Sequence, residues 1–269
     1  MAPHIVFLAG LPRSGSTLLA NLACQNPLLH ATPTSGLAGV VEGYRTFWST
    51  DALIRAQGIE NVRSNFLSGL EGLIHGWHKR EIHAGQIVID KNRLWPRHIE
   101  LLEMALGQKV TVLFPIRDVR DILTSFEKLH RKDLAFKPRP YNETTVARAE
   151  SWLHPEHGAV GRAISIYRDA VARGVDDRIW TLRYADLCSH PQEMMDAVHG
   201  VIGIPPFEYD VANVEQATYE DDLVHGITGL HDIRPRIQPQ DSDWREFLPQ
   251  QYGQALKARY ADVMQLVSA

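Results

Sequence analysis

Several groups of residues in this chain have the types and spacing needed to hold and polarise anions. The first is Gly10-Leu11-Pro12-Arg13-Ser14-Gly15-Ser16-Thr17, which runs into the apolar start of a helix at Leu18. A glycine-bounded loop entering a helix leaves backbone N–H groups free where the helix dipole is positive, and that is a site for phosphate. The spacing follows G-x-x-x-x-G-K-[ST], with Thr17 in the hydroxyl position. Ser16 stands where that pattern has lysine, the residue that reaches the β- and γ-phosphates in nucleoside triphosphate chemistry. Its absence argues against ATP or GTP hydrolysis and against phosphoryl transfer, while Arg13 puts a cation inside the loop instead.

The second group is Arg117 and Ser125. They stand eight residues apart, a little over two helical turns, so both face one side. A guanidinium with a hydroxyl suits a phosphate monoester, because arginine offers paired donors. The alternative is a surface ladder of Arg117, Asp118, Arg120 and Asp121. Lys91 leaves the end of an apolar segment, Tyr184 closes another, and Arg234 and Arg236 sit in a late polar stretch.

Elements that can position these groups follow from the apolar pattern. Strands are predicted at Ile5 to Ala9, Gln86 to Asp90, Val110 to Ile116 and Arg178 to Tyr184. Helices are predicted after the first loop as far as Asn26-Pro27, over Gly36 to Trp48, in one or two pieces over 51–82, from Pro96 to Leu106, from Arg117 to Leu129, over Val146 to Arg173 with a break near His154-Pro155, from Asp186 to Gly203, and from Trp244 to Val267. His30 to Ser35 reads as a polar turn and 131–144 as an exposed loop. Strands alternating with helices indicate an α/β protein whose parallel sheet is flanked by helices. Ligands of such sheets sit at the carboxyl ends of the strands, which is where Lys91 and Arg117 fall.

The octet Pro12-Arg13-Ser14-Gly15-Ser16-Thr17-Leu18-Leu19 resembles the 5′-phosphosulfate loop of sulfotransferases that use 3′-phosphoadenosine 5′-phosphosulfate (PAPS). The loop type is similar to the P-R-S-G-[ST]-[ST]-L group of bacterial and protein-tyrosine-type members. Arg117 to Ser125 is similar to the family's R-D-x-R-D-x-x-x-S segment, Leu182-Arg183-Tyr184-Ala185-Asp186-Leu187 resembles its Y-E-D-L segment, and Gly229 to Arg236 lies where a late basic loop is found. The resemblance spans residues 10–236 in the family's order. It implies a P-loop nucleotide-hydrolase-like fold in one domain, 1–269, with a helical insertion over 36–82 as lid or acceptor-binding subdomain. It also implies PAPS as sulfuryl donor, leaving adenosine 3′,5′-bisphosphate, and no metal. Pro12 to Thr17 would hold the 5′-phosphate, Arg117 and Ser125 the 3′-phosphate, Tyr184 the adenine, and Arg234 and Arg236 would close on the phosphates.

Sulfuryl transfer is an in-line displacement dominated by positioning and charge stabilisation. Arg13 and Lys91 are the cations expected to meet the departing phosphate. The proton acceptor is harder to place. Arg93 stands where some relatives carry a histidine, and Thr34-Ser35 offers no carboxylate where others carry one. Glu42 is the expected base, with His30 and His98 as alternatives. The acceptor, a small molecule, sugar or peptide bearing a hydroxyl or amine, is expected between 34–82 and 131–157, with Trp48, Trp77, Trp95, Tyr141 and Trp152 as candidate stacking surfaces.

Bulk properties bound the alternatives. The chain has 269 residues, 44% hydrophobic and 22% charged, with a net charge of −4, enough for a large core and giving no general attraction to nucleic acid or anionic membrane. Cys24 and Cys188 form no C-x-x-C cluster and read as buried or half-buried thiols. No stretch is long and apolar enough for a membrane span, and the apolar start has no basic region before it, so a cytoplasmic protein is expected. The competing functions are a P-loop-type small-molecule kinase and a catalytically silent nucleotide-binding protein.

Overall fold

The chain is described by a computed structural model covering residues 4–132, 144–226, 228–238 and 243–268. Five strands make one parallel sheet in the order β2-β3-β1-β4-β5: β1 Ile5–Leu8, β2 Leu29–Thr34, β3 Ile87–Lys91, β4 Val112–Ile116 and β5 Ile179–Arg183. The register pairs Ile5 with Val88 and Leu8 with Lys91, and Phe7 with Val112. Ile5, Phe7, Val112 and Phe114 point to one face, Val6, Leu8 and Leu113 to the other, and both faces are buried in apolar packing. Burial on both sides is why β1 reads as an unbroken apolar run rather than an alternating one.

Helices α1 (Ser16–Ala23), α2 (Leu37–Thr50), α3 (Ala52–Gln57), α4 (Arg63–Trp77) and α5 (Lys79–His83) precede β3. Then come α6 (Ile99–Leu106), α7 (Val119–Lys132), α8 (Thr145–Trp152) and α9 (Ala159–Ala172), with α10 (Tyr184–Ser189), α11 (Pro191–Ile202), α12 (Gln250–Arg259) and α13 (Ala261–Ser268) after β5. Leu19 and Leu22 of α1 with Met195 and Val198 of α11 cover the Val6 face. Leu37, Leu70, Leu102, Ile122 and Ile164 bring α2, α4, α6, α7 and α9 over the Phe7 face.

The predicted α/β class and parallel sheet hold, but four local readings do not. His30 to Ser35 is no turn: most of it lies in β2, at the sheet edge. Pro33 has no N–H to give a ladder, and edge strands tolerate that. The register shifts between Ala31 and Thr34, and Thr32 Oγ1 accepts the Lys91 N–H at 2.9 Å in repair. The predicted C-terminal helix is broken into a 3₁₀ turn over Trp244–Glu246 and then α12 and α13, because Pro249 can only begin a helix. Tyr184 opens α10 instead of closing β5, and β4 starts at Val112, two residues late. The break near His154-Pro155 is present between α8 and α9. The predicted exposed loop falls largely on residues 133–143, outside the described residues, as does Tyr141.

Most of the aromatic residues expected at an acceptor pocket are packing groups. Trp95 is fully buried 4.6 Å from Phe7, Trp48 packs 4.9 Å from Phe66, and Trp152 stacks on Phe126 at 5.3 Å. Trp77 is the exception, about half exposed and lying over Gly36.

Candidate active site

The loop between β1 and α1 is stapled to the end of β4. Leu11 N–H donates to the Pro115 carbonyl at 3.0 Å, and the Ser14 hydroxyl bonds to the Leu11 and Pro115 carbonyls at 2.5 and 2.8 Å. Gly10, at φ +102°, fits because a Cβ there would fall 2.7 Å from the Pro115 oxygen. Arg13 turns the loop at φ 59°, the one described non-glycine residue in that region. Helix α1 then begins with no side chain capping its first N–H groups, which leaves them for a ligand.

Arg13 reaches from this loop to α7: its Nε donates to Ser125 Oγ at 3.1 Å, and another guanidinium nitrogen donates to the Leu230 carbonyl. Arg117, buried at the end of β4, donates to the Arg13 carbonyl at 3.1 Å, and its guanidinium lies 4.5 Å from the centre of the Tyr184 ring. That ring packs against Gly15, where a Cβ would come within 2.9 Å of it. Segments more than a hundred residues apart thus make one surface.

They line a cleft of about 450 Å³ that contains Pro12, Arg13, Gly15, Ser16, Thr17, Arg117, Ser125, Tyr184, Arg234 and Arg236 together. Of the expected cofactor residues only Ser14 does not line it, since its hydroxyl is spent inside the loop. Sequence reasoning missed Arg93, Lys128 and Lys132, which add three cations to the wall. Lys128 and Lys132 stand three and seven residues beyond Ser125 on α7, a helical spacing that could have found them.

The cleft fits a doubly anionic ligand on its own terms. Burial, then the neighbouring Arg117 charge, lowers the Arg13 pKa from its ordinary value to about 10. Its hydrogen-bond acceptors among the described residues are a hydroxyl and a carbonyl, both neutral. Two guanidinium groups held near each other, Arg117 buried and Arg13 half-buried, are complemented by an anionic ligand. Burial likewise raises the Tyr184 hydroxyl to about 12, so the ring is a neutral face.

Lys91 and Glu42 part company. Lys91 does not line the cleft itself but is buried directly behind the loop, 3.3 Å from Thr17 Oγ1, and burial lowers its pKa against the pull of Glu220. Glu42 does not join the cleft. Its partners are Arg45 and Arg97, each at 3.9 Å, and His98 at 3.4 Å, so the expected base points at the α6 side. His98 is fully buried, and burial lowers its pKa to about 4, while His30 sits half-buried on β2. Neither lines the cleft.

The carboxylate that does reach Lys91 is Glu220, at 2.6 Å. The same oxygen accepts from the Thr34 N–H and hydroxyl at 2.8 and 3.0 Å, and His231 Nε2 lies 3.3 Å from the other oxygen. Asp222 holds His231 Nδ1 at 2.5 Å. These three residues lie in a segment without periodic pattern. The acidic run Glu220-Asp221-Asp222 ahead of His231 was the only signal.

A parallel sheet with a glycine loop after its central strand and a cationic cleft across its carboxyl edge defines a P-loop-like α/β protein built around an anionic ligand. The sequence profile of the Sulfotransferase family matches residues 3–209, and the chain belongs to that family: it is a transferase. Its fold is shared with solved structures. A sulfotransferase domain from the curacin biosynthetic pathway superposes with a TM-score of 0.56 at 18% identity, over 96% of this chain and 98% of that one. The sulfotransferase domain of the Synechococcus PCC 7002 olefin synthase gives 0.53 at 19% identity, over 97% and 95%. A sulfotransferase from Alicyclobacillus acidocaldarius gives 0.50 at 13% identity, over 99% and 94%. No curated protein matches the chain in sequence. Among the described residues no helix is long and apolar enough to cross a membrane.

Proposed function

We infer that the chain transfers a sulfuryl group from PAPS to a hydroxyl or amine of an acceptor. The observation that carries this is the single cleft in which the β1 loop, the Arg117–Ser125 pair and the Tyr184 ring meet. In this reading the N–H groups of residues 14–17 and Arg13 hold the 5′-phosphate, Arg117 and Ser125 the 3′-phosphate, and Tyr184 lies along the adenine. Arg234 and Arg236, exposed at the cleft wall, close on the phosphates from outside. When bound, the donor supplies an activated sulfuryl group. Lys91 and Arg13 then meet the negative charge that grows on the departing phosphate.

The contact of Lys91 with Thr17 bears on the kinase alternative. In triphosphate chemistry that hydroxyl holds magnesium. Here it faces an ammonium at 3.3 Å, and a second cation at the same oxygen is disfavoured by charge. The helices of 37–83, with Trp77 at the end of α4 open to solvent beside Gly36, are proposed as the acceptor's side of a single 269-residue domain acting in the cytoplasm.

The test is release of adenosine 3′,5′-bisphosphate from PAPS in the presence of alcohols, sugars, phenols and peptides. Acceptor-dependent release by the wild type, lowered in Arg13→Ala by about 10²–10³, is expected. Equal rates in the two proteins on every acceptor turned over would remove the proposed chemistry.

A further inference from the structure

Glu220 sits beside Lys91 and Thr34 at the carboxyl ends of β3 and β2, and the fold holds it there by means that a surface loop does not require. Its side chain is 8% exposed. One carboxylate oxygen takes Lys91 Nζ at 2.6 Å with both donors of Thr34 at 2.8 and 3.0 Å, and the other faces His231 Nε2 at 3.3 Å. His231 is itself held by Asp222 through Nδ1 at 2.5 Å and through its own N–H at 3.0 Å. The segment is tethered to α1 by Asn21 Oδ1, which accepts the Ala217 and Thr218 N–H groups at 2.5 and 2.8 Å.

The strand order gives the cleft a direction. Tyr184 follows β5, Arg117 follows β4 and the glycine loop follows β1, and the next strands in line are β3 and β2. A nucleotide with its base at Tyr184 and its 5′-phosphate in the loop therefore directs its 5′ end toward Lys91 on β3 and Thr34 on β2. Glu220 bridges these two strand ends. In-line transfer requires the acceptor on that side of the sulfur.

Resting on the sulfuryl-transfer reading, we propose that Glu220 is the base that takes the acceptor's proton, with His231 and Asp222 positioning its second oxygen. The acceptor's O–H bond breaks and its proton passes to Glu220 Oε2 as the acceptor oxygen bonds to sulfur. The bond from sulfur to the 5′-phosphate oxygen breaks, and its electron pair leaves with the phosphate, later to be followed by loss of the Glu220 proton to water. Lys91 turns from Oε1 to that departing oxygen, so one side-chain movement supplies the cation and takes away the charge that keeps the carboxylate a weak base. While Lys91 stays on it, Glu220 is held below the usual carboxylate range: burial alone would raise it, but the hydrogen bond and charge of Lys91 and the two Thr34 bonds outweigh that. The charged groups facing it are Lys91 and Arg93 from β3 and the turn after it, and His231 and Asp222 from its own segment.

Glu220→Gln keeps the shape and removes the charge. Calorimetry with adenosine 3′,5′-bisphosphate and bisphosphate release from PAPS with water, alcohols, phenols and sugars are measured on both proteins. The variant is expected to bind the bisphosphate at least as tightly and to release it from PAPS at least about 100-fold more slowly. Equal turnover in the two proteins overturns the assignment. So does a wild type that binds the bisphosphate yet releases none from PAPS with any of these acceptors. A wild type that does not bind the bisphosphate overturns the underlying donor reading instead. Should Glu220→Gln fail to fold, His231→Asn gives the second test: a fall in kcat at unchanged donor KM is expected, and a rise in KM alone contradicts the positioning role.

Discussion

Arg13 is the residue on which most of the cleft turns, since it carries the left-handed bend of the loop and reaches Ser125 and Leu230 with separate nitrogens. Arg13→Lys is therefore expected to behave nearly as Arg13→Ala in bisphosphate affinity, because one ammonium cannot span both acceptors. Recovery of wild-type affinity by lysine, measured calorimetrically, would make Arg13 a mere point charge. Glu220 predicts a pH signature. Its folded pKa is lowered from 4.5, so the stability it contributes is present above about pH 4.5 and is lost as pH falls through the folded value. Urea denaturation of wild type and Glu220→Gln should differ most near neutral pH and converge in acid, and a constant difference down to pH 3 would contradict it. Arg13 and Thr17 were legible in sequence because a phosphate loop is contiguous. Glu220 and His231 were not, because nothing in their order reveals that Asn21, nearly two hundred residues earlier, ties their segment to the first helix. Glu42 was nearest the strand ends in sequence, but the helix turns it toward Arg97 and His98.

The elements place these residues through backbone that admits little change. Gly15 begins α1 at φ 95° with the Tyr184 ring where a Cβ would go. Gly15→Ala is expected to lower unfolding free energy by about 1–3 kcal/mol through the disfavoured dihedral and to weaken bisphosphate binding by displacing the ring. Unchanged melting and unchanged affinity would show that the ring does not define the wall. Strands β1 and β4 could be read directly, since burial on both faces leaves no polar residues to confuse them, and β3 could be read from its apolar start at Ile87 to Ile89. Strand β2 could not, because Pro33 and the threonines around it suit an edge and mimic a turn. That missed strand matters chemically, since Thr34 at its end is one of the anchors of Glu220.

Across the whole molecule, a chain of net charge −4 concentrates Arg13, Arg93, Arg117, Lys128, Lys132, Arg234 and Arg236 around one cleft. Composition hides such a cluster, because the acidic residues elsewhere more than balance it. Bisphosphate affinity is accordingly expected to fall as salt rises from about 0.05 to 0.5 M, most for the outer Arg234 and Arg236 contacts. Saturation at 100 times Kd should raise the unfolding free energy by about 2.7 kcal/mol. Direct titration of the wild-type chain with adenosine 3′,5′-bisphosphate and with AMP bears most closely on the central claim, that the β1 loop and the Arg117–Ser125 pair hold two phosphates of one nucleotide. The bisphosphate should bind at least about tenfold more tightly, a difference of about 1.4 kcal/mol. Equal affinities would contradict it.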